Sequence, residues 1–329
     1  MDWVHTLLCD GAFSCEVYLL LNRSQNKVDK GFANVAVFLE DDWVFPKSKR
    51  IAMTSLHRVF NDFRNAYADN HEKLKANASE LISVYGMLRH WVSTELSSED
   101  SMSEEIHSFN ACCKIIDIIW RTKHGKITML EGAQLLRAAT TRFLTMHQRC
   151  YGSEHLKPKH HWLFDIAEQW LLHECVVDAF LIEKAHLLVK PIADRTCNLD
   201  KFETSVLSGM MHCQVSSLSR LGPQAALLGH GSPYPGFDAL VSDNVAIDGV
   251  DLSVSDLVRC NASLGKVVAC LEEDGDFFVM IDTLALSQRH SPHSAIYAFD
   301  GRRVVWDARK VSLAIAWKAV ERGALVIFE

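Results

Sequence analysis

The chain has no C-x-x-C among its ten cysteines, no G-x-G-x-x-G, no P-loop lysine motif, no G-x-S-x-G and no H-E-x-x-H. Their absence removes the usual signatures of dinucleotide binding, nucleotide hydrolysis, hydrolase nucleophiles and zinc proteases. "GHGSPYPG" offers Gly231 and Ser232 but lacks the strand–turn–helix context of a nucleophile elbow. A basic excess is also missing. Against 34 Lys+Arg stand 41 Asp+Glu, a net charge of −7, which excludes a broad electrostatic grip on nucleic acid while leaving room for local basic patches. No uninterrupted apolar run approaches the roughly 18–20 residues needed to cross a bilayer. Asp2, rather than a basic region, precedes the first apolar run, so neither a membrane anchor nor an export signal is expected. Reduced thiols in a nuclear or cytoplasmic setting follow from that reading.

What is present is a globular composition, 48% hydrophobic and 23% charged over 329 residues, enough for one large or two ordinary domains. From Phe237 onward there are 14 acids and 9 bases, against 27 and 25 before it, so a polyanion would meet the first part. That part carries apolar residues at helical spacing, such as Leu56, Phe60, Phe63 and Tyr67, then Leu81, Val84, Tyr85, Leu88 and Trp91. "STELSSEDSMSEE" reads as a polar surface loop, and Thr128 as an N-cap three residues before Glu131. Further helices are expected at about 105–121, 128–150, 160–189 and 199–220. Past Leu221 the texture changes, with a Gly/Pro-rich connection followed by short alternating runs separated by "DG", "EDGD", "DGR" and "RG" turns. The expectation is an α+β protein: a mostly α-helical body (1–221), a linker (222–238) and a small antiparallel β barrel or sandwich (239–329).

Three constellations carry chemistry. Asp2-x-x-His5 puts a carboxylate and an imidazole on one face of a helix; the plain alternative is a solvated terminal turn. In "EHLKPKHHWLFDIAEQW", Lys157, Lys159, His160 and His161 cluster where a helix begins, a local anion site if the backbone N–H groups point outward. Cys150, His155 and His160 lie close in sequence but do not form a zinc signature, and no metal ligands are assigned. Glu183 stands in the apolar run of "AFLIEKAHLLVKPIADR", where burial would demand a partner; His186 is three residues on and Lys190 further along.

Taken in order, "DWVH", a long helical stretch, "KPKHH" and "IEKAHLLVK" resemble the later half of a cut-and-paste DNA transposase of the CACTA (En/Spm) type, and more distantly the hAT type. The resemblance implies that Asp2 and His5 match a D-x-x-H motif, that residues 51–155 correspond to an inserted helical domain, and that Glu183 matches the third catalytic acid. Lys184 stands where an Arg is usual, Lys190 matches a later basic residue, and Phe164 and Asp165 depart from a further histidine. Residues 1–50 would follow an RNase H-like sheet whose two strand-borne acids the chain lacks. Two-metal phosphoryl transfer needs several converging carboxylates. The expectation is therefore a truncated or domesticated remnant with no nuclease or strand-transfer activity alone, needing Mg²⁺ only within a complete enzyme.

Such a remnant would keep DNA contacts, with Lys47, Lys49, Arg50, Lys157, Lys159, His160, His161 and Lys190 as candidates. Two alternatives stand beside it. The acidic β domain would bind a basic protein partner or self-associate, through Trp306, Trp317, Phe277, Phe278 or Tyr297 where they do not fill its core. Otherwise His160, His161 and Glu183 would serve an enzyme of another type.

Overall fold

The computed structural model describes residues 2–8, 10–40, 43–45, 74, 76, 78–177, 189–196, 201–219, 225–228, 231–233, 239–247, 250–291, 293–314, 316–321 and 323–327. The chain enters its first turn at Asp2, whose carboxylate accepts the backbone N–H groups of Val4 and His5 at 3.1 and 3.2 Å. A single π-type turn, Val4–Leu8, then meets helix α1, Ala12–Val28. Gly11 joins them because a Cβ there would lie 2.3 Å from the Thr6 carbonyl oxygen. Most of α1 is buried, including Ser14 and Glu16, because its first ten residues are apolar nearly all round and run through the core. The stretch Val4–Val28 is long and apolar enough to cross a membrane by length and composition, yet 82% of its most apolar window is buried inside the protein.

Around α1 pack α2 (Phe32–Glu40), α3 (Ala78–Trp91), α4 (Ser103–Lys123), α5 (Met129–Tyr151) and α6 (Pro158–His173); α7 spans Phe202–Ser219. Thr128 caps α5 as expected, its hydroxyl accepting the Glu131 N–H at 3.2 Å. Trp3, Phe13, Trp91, Phe109, Phe143 and Trp170 are the largest wholly buried side chains of this body. Two expectations change. "STELSSEDSMSEE" is not simply a loop: Val92–Leu96 prolongs α3 and Asp100–Met102 forms a 3-10 turn, because Leu96 and Met102 are buried in the core. Helix α6 stops at His173, not near 189, with Glu174 in the left-handed conformation at φ 52°.

The remainder is antiparallel sheet, so the α+β class holds, but the sheets are open rather than a closed barrel. Strands β1 (Ala225–Leu228), β4 (Asn244–Ile247) and β5 (Val250–Ser253) form a small sheet. The larger sheet runs β10-β6-β7-β8-β9-β12-β11. In it β6 is Leu257–Cys260, β7 Ser263–Glu273, β8 Asp276–Ser291 and β9 Ser294–Asp307; β10 is Ser312–Leu313, β11 Ala316–Val320 and β12 Gly323–Ile327. The "EDGD" turn behaves as read: Asp274 and Gly275 both take positive φ, 51° and 82°, as a two-residue hairpin turn with the strand twist requires. Within 222–238, expected as a linker, β1 and β2 (Ser232–Pro233) are strands, and β2 joins the large sheet through β3 (Leu240–Ser242).

The sheet is seated on the helices. Ala316, Leu325 and Ile327 belong to the same apolar core as α1 and α4. Val44 exchanges backbone hydrogen bonds with Trp317 at 2.7 and 3.1 Å, and His90 on α3 meets the Ser294 hydroxyl at 3.0 Å.

Candidate functional site

The N-terminal motif forms the contact its spacing suggested. His5 Nδ1 lies 2.5 Å from Asp2 Oδ2, with the imidazole half exposed. The same Oδ2 also receives the His5 backbone N–H, and Oδ1 that of Val4, so the carboxylate serves the helix start. Glu183, Lys184 and His186 lie outside the described residues, as do Lys47, Lys49 and Arg50. Lys190 is exposed on the helical stretch 189–195.

At the start of α6 the basic cluster divides. Pro158 opens the helix with its fixed φ, His161 is exposed, and Lys157 and Lys159 are partly exposed. His160 does not belong with them: it is 1% exposed and its ring turns into the body. Its Nδ1 accepts the Lys157 backbone N–H at 3.0 Å, a capping contact, and Phe143 and His147 flank the ring. Burial, then the neighbouring His147, pulls its pKa down to about 3. A neutral, enclosed imidazole cannot grip a phosphate. The aromatic candidates of the β region mostly fill its cores: Phe277 is buried, and Trp306, Trp317 and Tyr297 pack against buried clusters.

Two sites emerge that sequence spacing did not show. The first is a cleft of about 580 Å³ between the C-terminal half of α4 and the sheet. Among the described residues, Lys114, Arg121, Lys126 and Arg259 line it, with His124, His293 and one acid, Asp117. Asp117 is already engaged, by Arg89 at 2.9 Å and by His293 at 2.9 Å. Burial raises its pKa, but the His293 hydrogen bond and the Arg89 charge outweigh that and hold it down to about 2. The cleft therefore presents net positive charge. On its wall the Trp120 and His124 rings stack at 5.0 Å and 6°, with the Lys123 ammonium 5.8 Å from the Trp120 ring centre.

The second is sealed. Cys15 on α1, His147 on α5 and His160 on α6 are all buried, with candidate donor atoms within 4.8 Å of one another. Glu16, wholly buried, accepts from His147 Nδ1 at 2.7 Å. The Tyr151 hydroxyl reaches Glu16 at 3.4 Å, and burial, then the Glu16 charge, raises its pKa. Among the described residues, the Nε2 atoms of His147 and His160 are buried without a hydrogen-bond partner. The signal for this site was legible in one place: Glu16 interrupts the apolar run "CEVYLLL" as Glu183 interrupts its own. Its partners lie more than 130 positions away, beyond any spacing rule.

Neither a protein-family model nor a curated protein matches the chain.

Proposed function

We propose that this is a nucleic-acid-binding protein of transposase-derived type that binds without cleaving, and that the α4–sheet cleft is its contact surface. The observation that carries the reading is the cleft itself. Four Lys and Arg side chains converge around one acid already held by Arg89 and His293, beside a stacked Trp120–His124 pair. Cations tracking a phosphate backbone next to an aromatic platform suit a single-stranded or locally unpaired chain, whose bases stack without sequence readout. The use of both Asp2 oxygens by the first turn supports a binding role over a cleaving one.

Binding of labelled single-stranded and duplex DNA is expected to weaken with salt, with a slope that shrinks when Lys114 and Arg121 become Glu. Absence of binding at low salt refutes the contact. Mg²⁺- or Mn²⁺-dependent cleavage abolished by Glu183→Gln refutes the non-catalytic part.

A second reading, a protein partner or a second copy meeting the β region, rests on Leu286, Phe299 and Val305, each about half exposed on β8 and β9. A monomer at all concentrations, with no protein bound there, removes it.

A further inference from the structure

We propose that Cys15, His147 and His160 form a closed site for one divalent transition-metal ion, with zinc the best match, that pins α1, α5 and α6 together. One thiol and two imidazoles are borderline-soft donors that suit zinc and not magnesium or calcium. They come from three helices, and all three residues are buried, so an ion held there would be shielded from solvent. The tautomer of His147 is already that of a ligand. Its Nδ1–H is given to the Glu16 carboxylate at 2.7 Å, which leaves the buried Nε2 lone pair with no partner among the described residues. A carboxylate behind a ligating imidazole is the arrangement that fixes the ring and strengthens the donor.

Charge balance points the same way. Glu16 is a wholly buried carboxylate with a histidine and a tyrosine for company. A divalent cation, a Cys15 thiolate and an ionised Glu16 carboxylate sum to zero, and loading releases the thiol proton. Zinc–sulfur and zinc–nitrogen bonds in a tetrahedron place donors about 3.3–3.7 Å apart. The three donors, within 4.8 Å, therefore need to close by about 1 Å. His160 makes a second adjustment. Its Nδ1 now accepts the Lys157 amide, so its proton sits on Nε2. Ligation through Nε2 moves that proton to Nδ1 and exchanges the amide contact for a metal bond. The first turn of α6 is then the part of the body that reports occupancy. Glu16 is held on the Nδ1 side of the His147 ring, so the fourth corner of the tetrahedron falls to water.

The test uses the full chain, stripped with chelator and titrated with Co²⁺ and with Zn²⁺. One equivalent of Co²⁺ should give tetrahedral visible absorption with a near-ultraviolet sulfur-to-cobalt band, and Zn²⁺ should displace it. Cys15→Ser should remove the sulfur band, Cys150→Ser should keep it, and Glu16→Gln should weaken Zn²⁺ binding about 10–100-fold. Chelator should lower the thermal midpoint of the wild type and leave that of Cys15→Ser unchanged. A folded wild-type protein that takes up no Co²⁺ overturns the proposal, as does a sulfur band that survives in Cys15→Ser. The wild-type titration alone decides the matter if a variant fails to fold. None of these readouts involves nucleic acid.

Discussion

Two carboxylate–imidazole pairs in the same helical body show how little the pair alone determines. Asp2 and His5 are three residues apart and in contact at 2.5 Å, with His5 half exposed. Glu16 and His147 are separated by 131 positions and in contact at 2.7 Å, with both side chains at 0% exposure. The first pair reaches solvent through His5 and shares its carboxylate with two backbone amides, so its attraction is screened and replaceable. The second has no solvent to fall back on, so each partner depends on the other for its hydrogen bond. Burial, not contact distance, separates a terminal cap from a candidate metal centre.

Deleting each carboxylate in turn separates the two pairs most strongly. Glu16→Ala leaves His147 sealed with its Nδ1–H unpaired, and an unsatisfied buried donor destabilises by about 1–3 kcal/mol. Denaturant unfolding of the metal-free protein measures this directly. A loss below about 1 kcal/mol would show that the pocket admits water and that the contrast with Asp2 is false.

A pair of intermediate burial, Asp117–His293, sits where the β8–β9 turn docks on α3 and α4, beside His90. Burial, then the nearby His290 and Lys318, lowers the His90 pKa to about 4. Above pH 6.5 His90 is neutral in both folded and unfolded states, and its contribution is fully present. As pH falls from 6.5 towards 4 the unfolded chain takes up the proton first, and stability declines by about 3 kcal/mol at 1.4 kcal/mol per unit. Asp117 adds its own loss only below the ordinary carboxylate range, as pH falls through about 2. The midpoint of unfolding should therefore drop between pH 6.5 and 4, where buried His160 contributes as well, and His90→Phe should make that limb shallower without removing it. An unchanged limb in the variant would assign the acid sensitivity elsewhere.

The same contrast shows what the sequence could and could not reveal. Local chemistry was legible: the Thr128 cap, the Asp-Gly turn at 274–275, the Asp2–His5 contact and the division into helical and antiparallel parts all follow from neighbours in the chain. Long-range chemistry was not. His160 read as a surface base because three basic or imidazole neighbours flank it, yet the helical phase turns it inward beside Phe143 and His147. The cleft joins α4 to Arg259 on β6 across more than 130 positions, and only the docking of sheet on helices brings Lys114, Arg121 and Arg259 together. Glu183 and the Lys47–Arg50 cluster lie outside the described residues, so the transposase-like reading rests on the Asp2 end and the cleft.

The smallest effects belong to the exposed pair, and they separate its two roles. Asp2→Ala removes the acceptor of two amides and should destabilise by about 1 kcal/mol, the usual effect of losing an N-cap, while Asp2→Asn should lose only a few tenths. His5→Ala keeps the cap and deletes the imidazole. An exposed pair of this kind is worth about 0–0.5 kcal/mol, so unfolding of His5→Ala should nearly superimpose on that of the wild type. If His5→Ala instead matched Asp2→Ala, the pair rather than the cap would hold the first turn. The D-x-x-H motif would then be a structural unit in its own right, closer in kind to Glu16–His147 than its exposure implies.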